Sequence, residues 1–388
     1  MYIGVPRETK SGERRVALVP ETVAKLVAKG HSIAIESGAG SAAQMPDAVY
    51  EAAGAEIKPD AQSVCEAADF VLKISAPLPE EMRLLRPGTV LIAQMMPLID
   101  PETAGRVAET GATSFSMDLM PRITRAQSMD VLSAMSTVSG YRAVLQGALL
   151  AERFFPMLMT AAGTIPPAKV LILGAGVAGL QAIATARRLG AVVQAFDVRP
   201  ASREQVESLG AGFLSLPVTD GEGEGGYARA MADDEEARER QALEEPVRKA
   251  DLVISTAMVP GRRAPLLVSR EMVAAMHPGS VVVDLAAETG GNCELTQPGE
   301  VVVSDGGVII DGRLNLPSTM PLPASQLFSR NLVTFLDHMF KVWVGEAKAK
   351  GDLGDLPQDD EILRSTCVSF GGNVVHQPTA ERLAAVQR

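Results

Sequence analysis

Cysteine is scarce in this chain of 388 residues: Cys65, Cys293 and Cys367 lie far apart, with no C-x-x-C pair. Neither a disulfide framework nor a zinc site is indicated, and three small buried thiols are expected instead. Histidine is as sparse, with His31, His277, His338 and His376 scattered and none grouped as a metal ligand. No run approaches eighteen consecutive apolar residues, and the opening MYIGVPRETK lacks the basic-then-apolar order of a signal peptide. The chain is therefore expected to be cytoplasmic and not itself to span a membrane. An excess of positive charge is also missing. A net charge of −11, without a basic patch interleaved with aromatics, argues against nucleic acid as a partner. What remains is ordinary for a globular protein, with 46% hydrophobic and 21% charged residues and length enough for two domains.

Short β-rich runs (YIGV, HSIAIE, DFVLKIS, TVLIAQ, ATSFSM) alternate with helical stretches such as PETVAKLVAKG, whose Val23, Leu26 and Val27 share a face. Such alternation predicts a parallel sheet covered by helices. The pattern restarts at residue 169 with KVLIL, AVVQAF, AGFLSL, DLVISTA, SVVVDLA and VVV. A long helical stretch, roughly Ala126 to Phe155, joins the two halves. The late segment SQLFSRNLVTFLDHMFKVWVG is too long and amphipathic for a loop and is expected to pack back on the first half. The expected domains are thus 1–135 plus 318–388, and 136–317. Both are expected to be doubly wound, Rossmann-like parallel-sheet domains of the α/β class, flanking a cleft.

Residues 169–197, KVLILGAGVAGLQAIATARRLGAVVQAFD, hold the parts of a dinucleotide site in order. A buried strand, Val170 to Leu173, runs into G-x-G-x-x-G at Gly174, Gly176 and Gly179, and a helix begins at once. Gly174 permits the tight turn, Gly176 lets backbone approach a pyrophosphate, and Gly179 allows close helix-to-strand packing, while the helix N-terminus offers N–H groups to the phosphates. Asp197 ends the next strand. A carboxylate there accepts from the adenine ribose hydroxyls and repels a 2′-phosphate, so NAD(H) is expected over NADP(H).

Two further segments stand out. Residues 219–245, TDGEGEGGYARAMADDEEARERQALEE, are glycine-rich and then densely charged, the composition of a loop feeding a solvated helix. Their place after a strand end suits either a surface insertion or a lid over nucleotide with Tyr227 at its tip. In MPRITRAQSMDVLSAM, Gln127, Asp130 and Ser133 are spaced i, i+3, i+6 and form a polar stripe on the first turns of the joining helix, with Arg122 and Arg125 just before it. Such residues serve either as caps and solvated surface or, if the helix start lies in a cleft, as groups that orient a nicotinamide and its ribose.

With these motifs, and with TAAGTIPPAKVLILGAGVAGLQAIATARRLGA, DVRPASREQVESLGA and DLAAETGGNCELTQPG, the chain resembles along its whole length the NAD(H)-binding component, domain I, of the proton-translocating, Re/Si-specific nicotinamide nucleotide transhydrogenases. RAQSMD is the most specific of the motifs. The resemblance implies a peripheral homodimer, held at the inner face of a membrane through membrane-spanning and NADP(H)-binding subunits. It implies reversible hydride transfer between NADH and NADP⁺, coupled to proton movement. It also implies that Arg122, Ile123, Thr124, Gln127, Ser128, Asp130 and Ser133 meet the nicotinamide end, with Arg122, Gln127, Asp130 and Ser133 carrying the catalysis. Asp197, Val198 and Arg199 would meet the adenosine end, Val177 the pyrophosphate, Gly226 and Tyr227 the nucleotide from the loop, and Met258 the adenine or ribose side. The end of the chain at Arg388 without a membrane helix is expected to reflect an enzyme split into separate subunits.

Alanine dehydrogenase is the rival resemblance. That family holds its substrate carboxylate with an Arg and a Lys, matched here by Arg15 and Lys73, and supplies a histidine after the strand that here reads TVLIAQMMP. Gln94, Met95 and Met96 stand at that place, and none titrates near neutrality, so none serves as general acid or base. Glu288 also replaces the family's later Asp in D-x-A-x-D-x-G-G. Hydride transfer between two nicotinamide rings moves no substrate proton and needs none of these groups. A third reading is a nucleotide-sensing or assembly module with no turnover of its own.

Overall fold

The computed structural model describes residues 1–215, 233–258, 263–344, 356–357 and 359–386. Gly226 and Tyr227 lie outside the described residues, as does most of the loop expected around them. The chain divides into two compact units, Met1–Met135 with Ser318–Arg388, and Ser136–Pro317.

In chain order the first unit contributes β1 (Tyr2–Val5), β2 (Ser32–Glu36), β3 (Glu56–Lys58), β4 (Phe70–Ser75), β5 (Val90–Gln94) and β6 (Thr113–Ser116). The second follows with a hairpin, β7 (Leu158–Thr160) and β8 (Gly163–Ile165), and then β9 (Lys169–Leu173), β10 (Val192–Phe196), β11 (Gly212–Phe213), β12 (Leu252–Ser255), β13 (Val281–Asp284), β14 (Val301–Val303) and β15 (Ile309–Asp311). The chain then returns to the first unit for β16 (Cys367–Phe370) and β17 (Asn373–Val374).

The first sheet runs β17-β16-β6-β5-β4-β1-β2-β3, with β1 to β6 all parallel and the two late strands antiparallel at one edge. Phe70, Val71, Leu72 and Ile74 of β4 are all buried, which puts both faces of that strand under cover, as a parallel sheet with helices on each side requires. Much of that cover is the helix Pro321–Met339, whose Phe328, Leu332, Phe335 and Leu336 are fully buried. Phe335 meets Phe115 of β6 edge-on at 5.9 Å, and Phe340 just beyond the helix meets Phe70 at 5.2 Å. Ser325 and Ser329 on the same helix accept the Val16 and Val19 amides, so the helix is also bonded to the segment after β1.

The second sheet runs β11-β10-β9-β12-β13-β15-β14, parallel except at β14. The expected VVV strand is thus the antiparallel edge, and its neighbour β15 went unread because IID is flanked by too little apolar sequence to stand out. One expectation needs correction. The helix placed at Ala126 to Phe155 begins only at Val131 and ends at Leu150, after a separate 3₁₀ turn, Thr124–Met129. Asp130 makes the break: its backbone is extended (ψ 94°) and its side chain caps the new helix. Among the described residues no helix is long and apolar enough to cross a membrane.

Candidate functional site

In the second unit β9 lies between β10 and β12, so successive connections leave it in opposite directions. A crevice forms outside the carboxyl ends of strands at such a reversal, and ligands of doubly wound sheets bind there. The chain leaving β9 is the glycine turn. Gly174 has φ +96°, a conformation that disfavours any side chain, and a Cβ there would stand 2.6 Å from Thr256 Oγ1. That hydroxyl donates to the Gly174 carbonyl at 3.0 Å, which ties the turn to the end of β12. A Cβ on Gly179 would fall on the Gly174 carbonyl oxygen. Gly176 differs from both, since a Cβ there would meet nothing within 4 Å. Open space at this backbone, beside a helix (Val177–Arg188) whose start has no side-chain cap, is what the approach of a pyrophosphate needs.

Asp197 follows β10 and faces the same turn. Its Oδ2 accepts the Ala175 amide at 2.7 Å and its Oδ1 the Arg199 amide at 2.9 Å. The Arg199 guanidinium then grips both oxygens, Nε on Oδ1 and Nη2 on Oδ2, each at 2.8 Å. Val198, half-buried, packs against the core of this unit. Met258 lies just beyond β12 and is 43% exposed.

Two residues that organise this end of the sheet lie within the motif DLAAETGGNCELTQPG but were given no role by sequence reasoning. Asp284, buried at the end of β13, accepts from the Ser255 and Thr296 hydroxyls and from the Ala286, Asn292 and Cys293 amides. Asn292 in turn accepts from the Ala257 amide and donates to the Ala257 and Pro265 carbonyls, so it holds both stems of the loop that carries Met258. Their signal in the sequence was that motif, in which Asp284 comes first and Asn292 follows Gly290-Gly291.

In the first unit, Ala126 and Met129 anchor the 3₁₀ turn in the core while Arg122, Thr124, Gln127 and Ser128 are exposed and Ile123 is half-buried. The Ser128 carbonyl accepts from Asn331 Nδ2 at 2.8 Å, and Arg125 reaches Asp360 at 3.8 Å. Asp130 and Ser133 are bonded to each other: Oδ1 takes the Ser133 amide at 2.9 Å and Oδ2 its hydroxyl at 2.6 Å. Gln127 therefore belongs to the turn, and only Ser133 to the helix itself.

The alanine dehydrogenase-like pair is engaged by the protein's own carboxylates. Arg15, buried, is held by Glu13 at 2.6 and 2.8 Å. Lys73, also buried, lies 3.0 Å from Glu81 and 3.4 Å from Glu8. Burial works to lower the Lys73 pKa, but the two carboxylates overcome it and leave it raised. Burial likewise pushes Glu8 above the usual carboxylate range, against the pull of Lys73. The cavity beside Pro6, Lys73 and Glu81 measures about 10 Å³, room for a water.

Sequence comparison matches residues 4–139 to the alanine dehydrogenase/PNT N-terminal domain and residues 143–377 to the alanine dehydrogenase/PNT C-terminal domain. The chain belongs to the alanine dehydrogenase/PNT family. Within that family it is 45% identical to the first part of NAD(P) transhydrogenase subunit alpha of Rhodospirillum rubrum, over 97% of this chain and 98% of the relative. The crystal structure of transhydrogenase from Sinorhizobium meliloti superposes with a TM-score of 0.83 at 44% identity, covering 97% of this chain and 99% of that one. Alanine dehydrogenase of Bacillus subtilis is 30% identical, over 99% of this chain and 95% of its own. The transhydrogenase resemblance and the doubly wound α/β class expected from sequence are both borne out.

Proposed function

We propose that this chain is the NAD(H)-binding subunit of a proton-translocating transhydrogenase. In this reading NADH bound here passes a hydride directly to NADP⁺ on a partner subunit, giving NAD⁺ and NADPH, and the transfer is coupled to proton movement across a membrane. The observation that carries it is the turn after β9, where Gly176 leaves backbone open beside an uncapped helix start and Asp197 stands at the end of the next strand. Whole-length similarity to transhydrogenase alpha subunits supports the same reading.

The pyrophosphate is taken by Gly174, Gly176, Val177 and Gly179, and the adenosine end by Asp197, Val198 and Met258, with Arg199 lying beside them. Gly226 and Tyr227, outside the described residues, complete the nucleotide contacts. Arg122, Ile123, Thr124, Gln127, Ser128, Asp130 and Ser133 orient the nicotinamide end. No proton leaves the reacting carbon, so the residues' task is placement, and holding two reactants in attack geometry is worth roughly 7–11 kcal/mol of barrier. The chain works as a homodimer, peripheral to the inner face of the membrane through its NADP(H)-binding and membrane-spanning partners.

Gln94, Met95 and Met96 weigh against alanine oxidation, since none of them can exchange a proton with an amine. The test is a mixing assay. Hydride transfer from NADH to NADP⁺, or to an acetylpyridine analogue, is expected only when the NADP(H)-binding partner is added. Alanine-dependent reduction of NAD⁺ by the chain alone would overturn the proposal in favour of a dehydrogenase, and inactivity in both assays would leave a sensing or assembly module.

A further inference from the structure

Asp197 offers a ribose nothing to bind. A carboxylate has about four lone-pair positions, and four donors of the chain take them: the Ala175 and Arg199 amides and the two guanidinium nitrogens of Arg199, all between 2.7 and 2.9 Å. The group is well enclosed, with 6% of the Asp197 side chain and 19% of the Arg199 side chain exposed. The two amide donors are fixed by the backbone of the turn and of the strand end. The other two sit on a side chain that can leave, and they equal in number the 2′- and 3′-hydroxyls of an adenosine ribose.

We propose that Arg199 is a specificity-determining residue, a resident competitor that NAD(H) displaces from Asp197 and NADP(H) does not. This rests on the reading of Asp197 as the ribose acceptor. A ribose cis-diol replaces the two guanidinium N–H donors with two O–H donors, so the carboxylate stays satisfied when the arginine moves off. A 2′-phosphate brings an anion in place of one of those donors. It gains nothing from Asp197 and is attracted to the guanidinium, whose fork suits phosphate oxygens. Arg199 therefore costs NADH affinity and lends affinity to NADPH, which makes the unmodified site less selective than a lone carboxylate would be.

Removing the guanidinium should consequently move the two nucleotides in opposite directions, a signature that general loosening of the site does not produce. Dissociation constants for NADH and NADPH would be measured calorimetrically on the full chain, unmodified and as Arg199→Ala, Arg199→Gln, Asp197→Ala and the Asp197→Ala/Arg199→Ala pair, with thermal melts as the folding check. Arg199→Ala is expected to bind NADH roughly three- to tenfold more tightly and NADPH more weakly by a similar factor. Arg199→Gln, which keeps the stem but has a single amide donor group, should shift both the same way by less, and serves alone if the alanine variant does not fold. The double variant should lose the NADH gain, because it is at the carboxylate that the guanidinium and the ribose compete. Weaker or unchanged NADH binding in the Arg199 variants, alongside weaker binding in Asp197→Ala, overturns the competitor and leaves the ribose acceptor standing. Unchanged NADH binding in Asp197→Ala overturns both.

Discussion

The parallel strands of the first unit lie in the order β3-β2-β1-β4-β5-β6, and those of the second in the equivalent order β11-β10-β9-β12-β13-β15. Each sheet thus reverses beside its first strand, and each reversal should open a crevice at the strand ends. The two are treated in opposite ways. After β1 the chain reads Pro6-Arg7-Glu8, without glycine, and the Glu8 carboxylate accepts the Ile74 amide of β4 at 2.6 Å while lying against Lys73. With Glu13, Arg15 and Glu81 this makes a cluster of buried ion pairs at the strand ends. After β9 the chain reads Gly174-Ala175-Gly176, and at Gly176 the space is open. Topology decides where a crevice forms. The first few residues past the strand decide whether the protein or a ligand fills it.

That contrast can be broken most severely at Gly179. A side chain there collides with the Gly174 carbonyl, and backbone cannot step aside as a flexible side chain would, so Gly179→Ala should prevent the second unit from reaching its native fold. Gly176→Ala is the informative companion. Its φ of −76° suits alanine and its Cβ meets nothing, so the melting temperature should hold while NADH affinity falls by more than about tenfold. Retained NADH binding in a well-folded Gly176→Ala protein would mean that the open space is not where the pyrophosphate lies.

The next largest effect belongs to the filled crevice. Lys73→Met removes the cation between two buried carboxylates, and deleting one partner of a buried ion cluster costs about 3–5 kcal/mol. NADH binding by the second unit should be untouched. The variant should also acquire a pH dependence whose sign follows from Glu8. Burial already raises the Glu8 pKa, so its contribution to stability is complete below the ordinary glutamate value and is lost as pH rises through the raised one. Without Lys73 the raised value moves higher still, and the melting temperature of Lys73→Met should fall from pH 5 to pH 8 more steeply than that of the unmodified protein. Parallel pH profiles would show that Glu8 is not the uncompensated group.

Most of the fold was legible because its strands are short apolar runs bounded by glycine or helix signals, and the order of the glycines marked the tight turn after β9. The shorter elements were not, for reasons that lie in packing. The strand β3, Glu56–Lys58, is polar and holds its place by pairing with β2, and β16 pairs across to β6 from more than 250 positions away, through contacts such as Ser114 Oγ to Ser369 Oγ at 2.6 Å. Nor could sequence show that Asp197 is saturated by Arg199, since an i, i+2 pair becomes bidentate only when the backbone turns as it does after β10. The boundary at Asp130 was misread because Arg, Ala, Gln, Met and Leu, all good helix formers, flank it on both sides; Asp is also a capping residue, and the backbone shows that it caps a new helix here.

A smaller loss of stability than at Gly179 or Lys73 is expected at that boundary, where structural and catalytic roles can be separated within one side chain. Asp130 accepts the Ser133 amide and hydroxyl, so its first task is to cap the helix Val131–Leu150. Asp130→Ala removes both bonds and should cost about 1 kcal/mol, the usual value of a lost cap. Asp130→Asn keeps an oxygen for the amide, and the Ser133 hydroxyl can reverse to accept from the new NH₂ group, so the melting temperature should not change. The charge, however, is gone. If the carboxylate also helps to orient the dihydronicotinamide, the asparagine variant should bind NADH within a few-fold of normal yet pass hydride more slowly, on the order of 10²-fold for a lost orienting contact. Gln127→Asn should behave in the same way with no stability cost, because Gln127 is exposed and Asp130 supplies the cap. Single-turnover transfer from NADH, measured after mixing with the NADP(H)-binding partner, reads the rate directly. A full rate in Asp130→Asn and Gln127→Asn, with destabilisation confined to Asp130→Ala, would reduce Asp130 to a helix cap and remove Gln127 from the site.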